Sequence, residues 1–198
     1  MKLLGGDGSP YVRKVRLVCL EKGLPVEFRA ASPSDPASGV AAANPLSKIP
    51  TLVLDDGRGL YDSSVIVEYL DGLNDTQKLI PANQAERIEV RRWEALGNGI
   101  ADATVEIVHD RRRPADKQLG AEYEAKQMIK IRAGLAAMEK DLGANEFCFG
   151  GRFTLADIAF RMAAEYASRA LPEFDWRAAH PALAKHFDRL SQRPAFKT

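Results

Sequence analysis

The sequence has few of the residues that build disulfide frameworks or metal centres. Its 198 residues include two cysteines, Cys19 and Cys148, and both lie within apolar patterns. Two cysteines do not make a disulfide framework, and a protein without one suits a reducing compartment. The three histidines are scattered along the chain and form no cluster at the spacing of metal ligands. We therefore expect a cytoplasmic protein that needs no metal.

The sequence also lacks an excess of charge of one sign. It has 28 basic and 27 acidic residues, which gives a formal net charge of +1. Proteins that bind nucleic acids usually concentrate basic residues on one face or in one segment. The one dense basic run, Arg111–Arg113, is stopped by Pro114 and is typical of a solvated helix end. We expect no nucleic-acid partner.

Long hydrophobic runs are missing as well. The apolar stretch that follows Met1 ends at the glycine loop 5–8. This stretch is too short to be the core of a secretory signal. No apolar run approaches the length of a membrane-spanning helix, so we expect no membrane partner. Hydrophobic residues make up 45% of the chain, an ordinary globular proportion. The length suits one large domain or two small ones.

The first 76 residues alternate between strand-like and helix-like patterns. A helical pattern begins at Pro10, a second helix follows Asp62, and the segment 30–44 has no clear periodicity. The strand-like segments are Lys2–Leu4, Val26–Phe28, Thr51–Leu54 and Leu60–Tyr61. A βαβ unit joined to a hairpin and a final helix predicts a small α/β domain over residues 1–76.

Beyond a polar linker, residues 84–198 contain only helical patterns. Apolar residues at helical spacing mark one long helix around 88–100 and another around 123–142. Thr154 and Asp157 have the spacing of a capping box, in which two side chains satisfy the first free N–H groups of a helix. The second half is therefore predicted to be an all-helical bundle.

Ser9 stands at the end of the glycine loop, directly before the helix that begins at Pro10. A helix N-terminus offers unpaired N–H groups and the positive end of the helix dipole, which both favour an anion. A serine hydroxyl at this place can donate a hydrogen bond to a thiolate, the nucleophilic form of a thiol. It can equally serve only as the helix N-cap, and the local pattern leaves both functions open.

Three further segments have chemistry of the same kind. A cis bond before Pro50 would turn the N–H and C=O of Ile49 outward to pair with an extended peptide, although Pro50 can also simply begin a strand. Asp62 and Ser63 at a helix start can hold the ammonium and carboxylate of an amino acid, or only cap the helix. Lys48 can pair with a ligand carboxylate or be an ordinary surface lysine.

The order and spacing of these segments resemble the cytosolic glutathione S-transferase family. The segments that carry the resemblance are Ser9–Arg16, Asn44–Leu52, Asp62–Leu70 and Phe153–Ala159. They are similar to the family's active-site turn, its loop before a cis-proline, its γ-glutamyl site and its capped buried helix. The resemblance implies a thioredoxin-like glutathione-binding domain, an all-helical domain that forms the electrophile pocket, and a homodimer.

The resemblance also implies roles for individual residues. Ile49, at the bend made by Pro50, would pair with the cysteinyl backbone of glutathione. Asp62 and Ser63 would hold the γ-glutamyl end. Lys48, where some classes have glutamine, would reach the glycyl carboxylate. Ser9 occupies the family's catalytic position and would contact the thiol of glutathione, the co-substrate.

A serine at that position resembles the serine-type bacterial members of the family. They activate the glutathione thiolate for attack on a small hydrophobic electrophile or a peroxide, which implies a transferase in detoxification with a possible peroxidase side activity. Cys19 does not replace a catalytic cysteine, because it lies more than two helical turns downstream on the core face. Tyr11 and His109 are minor candidates for contacts in the site.

Two alternatives stay open. The same fold also serves as a non-catalytic glutathione-binding or interaction module. A glutathione-dependent isomerase or dehalogenase would use the same thiolate, so the residues around Ser9 do not exclude it.

Overall fold

The structure, a computed structural model that describes residues 1–197, divides the chain into two compact units, Met1–Ile80 and a second that begins at Pro81. The first unit contains a sheet of four strands in the order β2-β1-β3-β4. Their bounds are β1 (Lys2–Gly5), β2 (Glu27–Ala30), β3 (Thr51–Val53) and β4 (Gly59–Leu60). β1 pairs with β2 in parallel, whereas β3 pairs antiparallel with β1 and with β4.

The helices of the first unit are α1 (Pro10–Glu21), α2 (Val40–Ala43) and α3 (Ser63–Gly72). α1 is the crossover that two parallel neighbouring strands require, because it connects β1 with β2. The apolar spacing of Tyr11, Val15, Val18 and Cys19 predicts one buried face of α1. The last three of these residues are buried, whereas Tyr11 is half-buried. The βαβ unit, the hairpin β3–β4 and the final helix confirm the predicted thioredoxin-like fold.

The segment 30–44, whose sequence has no clear periodicity, contains a 3-10 turn at Pro36–Ser38 and the short helix α2. Gly39 joins the two with φ of 79°, a left-handed conformation that glycine adopts without a steric penalty. Helices of three or four residues are too short to produce an apolar period, which explains why the sequence did not predict them.

The second unit is helical, as the sequence predicts. Its helices are α4 (Gln84–Arg111), α5 (Gly120–Leu142), α6 (Leu155–Ala170), α7 (Trp176–Ala179) and α8 (Pro181–Leu190). None of the helices in residues 1–197 combines the length and the apolar character needed to cross a membrane. α7, a single turn capped by Asp175, is absent from the sequence prediction.

α6 lies at the centre of the second unit, and most of its side chains are buried. The Thr154 N–H donates to Asp157 Oδ2 at 2.8 Å, and the Ala156 N–H donates to the Thr154 hydroxyl at 3.3 Å, which confirms the predicted capping box. α4 approaches α6 closely at Gly97, where a Cβ atom would lie 2.7 Å from the carbonyl oxygen of Ala159. A larger residue at Gly97 would therefore separate these two helices.

Candidate functional site

Ser9 is the N-cap of α1. Its Oγ accepts a hydrogen bond from the Val12 N–H at 3.4 Å, a long distance that indicates a weak bond. The Ser9 N–H donates to the carbonyl oxygen of Gly6 at 3.0 Å, which closes the glycine loop. Within residues 1–197 no group accepts the Ser9 hydroxyl proton, and the side chain is half-buried. The hydroxyl can therefore cap α1 with its lone pair and still donate its proton to a ligand.

The loop before β3 is held by Asn44, which is 1% exposed. Asn44 Nδ2 donates to the Lys48 carbonyl oxygen at 3.0 Å, and the Thr51 hydroxyl donates to the same oxygen at 2.8 Å. The next peptide bond, Ile49–Pro50, is cis. The N–H and C=O of Ile49 have no hydrogen-bond partner among the residues that the structure describes. The loop thus leaves one main-chain donor and one acceptor available to an extended peptide.

Asp62 is the N-cap of α3, and its Oδ1 accepts the Ser64 N–H at 2.9 Å. The other carboxylate oxygen has no partner in the described part of the chain, and the side chain is exposed. Ser63 follows at the first helical position and is 3% exposed, and no described group bonds to its hydroxyl. A free carboxylate oxygen next to a hydroxyl and a helix N-terminus suits a ligand with both an ammonium and a carboxylate.

The strand register brings these three segments to one end of the sheet. Leu4 pairs with Thr51, so continuing the antiparallel register by one residue places Gly5 opposite Pro50. Leu52, near the start of β3, pairs with Leu60, the last residue of β4, so Asp62 follows β4 at the same end of the sheet. A Cβ atom at Gly6 would lie 3.7 Å from Ile49 Cδ1, which confirms that the glycine loop borders the bend.

The remaining predicted residues have different surroundings. Lys48 is exposed beside the bend, and no carboxylate in residues 1–197 pairs with its ammonium group. Tyr11 lies half-buried in the first turn of α1, two residues after Ser9. His109 is exposed in the last turn of α4, in the second unit.

Neither cysteine is available as a nucleophile. Burial raises the pKa of the Cys19 thiol to about 12, against a small opposing effect of a backbone hydrogen bond. Burial and the neighbouring Asp157 carboxylate raise the pKa of Cys148 well above its ordinary value. Both thiols are therefore protonated at neutral pH, and a thiol in this state is a poor nucleophile. The burial of Cys19 agrees with its predicted position on the core face of α1, where it does not replace a catalytic cysteine.

The second unit contains a buried polar group that the sequence spacing does not reveal. Cys148, Asp157 and His186 each place a possible metal-binding atom within 4.8 Å of the others. His186 Nε2 lies 2.9 Å from Asp157 Oδ1 and 3.5 Å from Cys148 Sγ. These residues are up to 38 positions apart in the chain, so no short motif indicates that they meet.

The orientation of His186 argues against a metal ion at this group. Arg189 Nη2 lies 2.9 Å from His186 Nδ1, and a guanidinium group can only donate, so Nδ1 is the acceptor. The ring proton is then on Nε2, where it is donated to Asp157 Oδ1. A metal would need the Nε2 lone pair and a proton on Nδ1 that faces an acceptor. The group is better described as a hydrogen-bonded connection between α6 and α8.

Comparison with known proteins gives a consistent result for both units. Residues 3–78 match the family described as "Glutathione S-transferase, N-terminal domain", and residues 99–189 match "Glutathione S-transferase, C-terminal domain". An uncharacterized GST-like protein of Escherichia coli strain K12 is 35% identical over 196 residues, which cover 99% of this chain and 96% of that protein.

Solved structures agree over nearly the whole length. A glutathione S-transferase of Methylobacillus flagellatus, crystallised with glutathione bound, is 43% identical with a TM-score of 0.95, and the match covers 99% of this chain and 96% of that one. A glutathione transferase family member of Pseudomonas fluorescens, with bound S-(propanoic acid)-glutathione, is 34% identical with a TM-score of 0.87 and the same two coverages.

Proposed function

Because the chain belongs to the glutathione S-transferase family, we propose that it binds glutathione on its first unit and activates the thiol for attack on an electrophile. The observation that carries this proposal is the meeting of Ser9, Ile49 and Asp62 at one end of the sheet, each with hydrogen-bonding groups that the chain does not use. The glutathione-bound relative from Methylobacillus flagellatus supports the co-substrate.

Each part of glutathione has a matching group in the first unit. The cysteinyl backbone is an extended peptide, and it would pair with the free N–H and C=O of Ile49 at the Pro50 bend. The γ-glutamyl ammonium would pair with Asp62, and the adjacent carboxylate would bind the Ser63 hydroxyl and the N-terminus of α3. The exposed ammonium group of Lys48 would pair with the glycyl carboxylate.

Ser9 is the proposed catalytic residue. Its unused hydroxyl proton would donate a hydrogen bond to the glutathione sulfur, and the N-terminus of α1 adds the positive end of a helix dipole. Both interactions favour the thiolate over the thiol, and each unit by which they lower the thiol pKa corresponds to about 1.4 kcal/mol. The thiol proton leaves to solvent. The thiolate then forms the new bond to the electrophile, and the leaving group, a halide or the alkoxide half of a peroxide, departs with the electron pair of the broken bond.

The second substrate is proposed to be a small hydrophobic electrophile or a peroxide, bound by the helical unit. The candidate surface is the stretch of α4 from Ala101 to His109, where Val105 and Val108 are half-buried. The ligand of the Pseudomonas fluorescens relative is a glutathione thioether, which supports thioether formation as the reaction class. We further propose a cytoplasmic homodimer that acts in detoxification.

Retention and turnover together test this proposal. The protein is applied to immobilised glutathione, and its activity is measured with 1-chloro-2,4-dinitrobenzene and with cumene hydroperoxide. Retention with turnover of either compound supports the transferase. Retention without turnover of any electrophile or peroxide would indicate a non-catalytic glutathione-binding module. A protein that is not retained, and that free glutathione does not stabilise against heat, contradicts the proposed glutathione site.

A further inference from the structure

The C-terminal ends of α4 and α6 lie side by side in the second unit. Gly97, in the middle of α4, lies against the backbone of Ala159 near the beginning of α6. At the other end, Arg111, the last residue of α4, places Nη2 2.5 Å from Oε1 of Glu173, three residues beyond the end of α6. The two helices therefore run in the same direction, and Arg112, the C-cap of α4, directly follows the residue that pairs with Glu173 just past the end of α6.

The three arginines at the end of α4 differ in their partners. Arg111 pairs with Glu124 and Glu173, and Arg113 places Nε 3.7 Å from Oδ1 of Asp110. Arg112, which lies between them, is exposed, and no carboxylate in residues 1–197 pairs with its guanidinium group. The middle arginine of the run thus offers a positive charge and a set of hydrogen-bond donors to an external anion.

Tyr166, near the C-terminal end of α6, supplies a second hydrogen-bond donor, and Arg169 in the last turn of α6 lies against its ring. The Arg169 guanidinium carbon lies 5.4 Å from the centroid of the Tyr166 ring. The Tyr166 hydroxyl has no hydrogen-bond partner within the described part of the chain. Burial raises the pKa of the Tyr166 phenol, and the positive charges of Arg169 and Arg112 oppose that rise. The phenol is therefore protonated at neutral pH and can donate a hydrogen bond.

An apolar surface leads to this group along α4. Val105 and Val108 precede Arg112 by seven and four positions, a spacing that places all three on one face of the helix. Both valines are half-buried and belong to the stretch proposed above to bind the second substrate. An apolar stretch that ends in guanidinium and phenol donors suits a molecule with an apolar body and an anionic end.

We propose that Arg112 and Tyr166 form an anion site that binds the carboxylate of the second substrate. This inference rests on the proposed transferase function and narrows its substrate class to electrophiles that carry a carboxylate, such as halogenated aromatic acids. Arg112 presents the planar set of donors that matches a carboxylate, and Tyr166 adds a neutral donor.

A matched pair of aryl halides isolates the carboxylate. With 4-chloro-3-nitrobenzoate or 4-chloro-3-nitrobenzamide, the thiolate forms a carbon–sulfur bond and chloride leaves with the electron pair of the carbon–chlorine bond. The thiol proton goes to solvent in both reactions. The two compounds react in the same way and differ in the charge of one substituent, so the ratio of their kcat/KM values reports on recognition of that charge.

The test compares wild type with Arg112→Gln, Tyr166→Phe and the control Arg113→Gln. We expect Arg112→Gln to lower the benzoate-to-benzamide ratio of kcat/KM by about tenfold, the size of one lost charge-assisted hydrogen bond. Tyr166→Phe should lower the ratio by a smaller factor, and Arg113→Gln should leave it unchanged. The wild-type ratio should also fall as salt is added, because ions screen an exposed charge pair.

Other outcomes separate this inference from the proposed function. If Arg112→Gln lowers kcat/KM equally for both compounds, the anion site is wrong and the transferase proposal stands. If wild type turns over neither compound and is not retained on immobilised glutathione, the transferase proposal fails. Titration of the protein with 4-chloro-3-nitrobenzoate alone, followed by NMR, then still tests the site. Equal affinity of wild type and Arg112→Gln in that titration would contradict it.

Discussion

The ammonium nitrogen of Lys22 lies 3.1 Å from Oδ1 of Asp71, and both side chains are buried in the first unit. The same nitrogen donates to the carbonyl oxygens of Asp71, Asn74 and Gln77 at 2.9–3.1 Å. The Asp71 carboxylate in turn accepts the N–H groups of the two residues that end the unit, 79 and 80. This ion pair therefore fixes the C-terminal segment of the first unit against α1 and α3.

Replacing Lys22 with methionine should destabilise the first unit strongly. The substitution keeps most of the side-chain volume but leaves the buried Asp71 charge and three carbonyl oxygens without the ammonium group. Removing one partner of a buried ion pair typically lowers the free energy of unfolding by about 3–5 kcal/mol. Urea denaturation of wild type and Lys22→Met measures this change.

Lys78→Met is the matched control for this experiment. Lys78 also donates to the Asp71 carbonyl oxygen, at 3.2 Å, but its side chain is 44% exposed. Its loss should change the urea midpoint little, since exposed ion pairs contribute little to stability. Equal shifts of the urea midpoint in the two variants would show that the buried Lys22–Asp71 pair stabilises the protein no more than the exposed Lys78 contact does.

Substitutions at Ser9 can separate catalysis from helix capping. Glycine is almost as good an N-cap as serine, with a loss of only a few tenths of a kcal/mol, whereas alanine costs about 1 kcal/mol. If Ser9 donates to the thiolate, Ser9→Gly and Ser9→Ala should both lower kcat for glutathione conjugation by about 10–100-fold, whereas Ser9→Thr should retain most activity.

Two measurements accompany the Ser9 series. Thermal unfolding shows whether capping is lost, and the pH dependence of kcat shows whether the thiol of bound glutathione ionises at a higher pH in Ser9→Gly. A variant Ser9→Gly with the turnover and pH profile of wild type would leave Ser9 with the role of a cap alone.

Asp62 is predicted to recognise the ammonium group of glutathione. Asp62→Asn keeps an oxygen that accepts the Ser64 N–H and so preserves the start of α3, but it removes the negative charge. Because Asp62 is exposed, we expect a modest effect, a roughly fivefold rise in the Kd of glutathione.

A deaminated glutathione, in which the γ-glutamyl group is replaced by glutaryl, is the control ligand for Asp62. Calorimetry should give similar Kd values for this ligand with wild type and Asp62→Asn, since neither complex contains the ammonium–carboxylate pair. If both ligands weaken equally in the variant, Asp62 acts through the local structure and not through its charge.

Local sequence patterns predict much of the fold because they record local physics. The apolar spacing of α1 identifies most of its buried face. Thr154 and Asp157, which are three positions apart, identify the start of α6. The one- or two-residue differences in strand ends, such as Thr51–Val53 for the predicted Thr51–Leu54, are of the size expected for element boundaries.

Contacts between residues that are far apart in the chain cannot be predicted from local sequence spacing. The strand pairing brings the end of β1, the start of β3 and the end of β4 together, and the sequence indicates that Gly5, Pro50 and Asp62 share this end of the sheet only through a family resemblance. The contact of Cys148 with His186 spans 38 positions, and that of Lys22 with Asp71 spans 49. Lysine and aspartate are usually exposed, so their residue types argue against burial of Lys22 and Asp71. The hydrogen bonds that the two side chains make in the folded protein explain their burial.

The group formed by Cys148, Asp157 and His186 should not bind zinc. Zn²⁺ would have to displace the Nε2 proton of His186 and leave Nδ1 protonated toward the Arg189 guanidinium, two donors facing each other. We expect the thermal unfolding temperature to be the same after chelator treatment and after addition of zinc. A rise in that temperature with zinc, absent in Cys148→Ala, would show that the group is a metal site after all.

Cys19 should make stability fall at alkaline pH. Its pKa is about 12 in the folded protein and near 9 in an unfolded chain, so the folded state holds this proton more tightly. The contribution to stability is complete below about pH 9 and is lost as the pH rises toward about 12, by up to roughly 1.4 kcal/mol per pH unit.

Substitution of Cys19 by alanine removes this pH dependence and leaves a small cavity. The difference in unfolding free energy between wild type and Cys19→Ala, measured by urea denaturation, should therefore shrink between about pH 8 and pH 10. A constant difference over this interval would mean that the thiol ionises equally easily in both states, which contradicts its burial on the core face of α1.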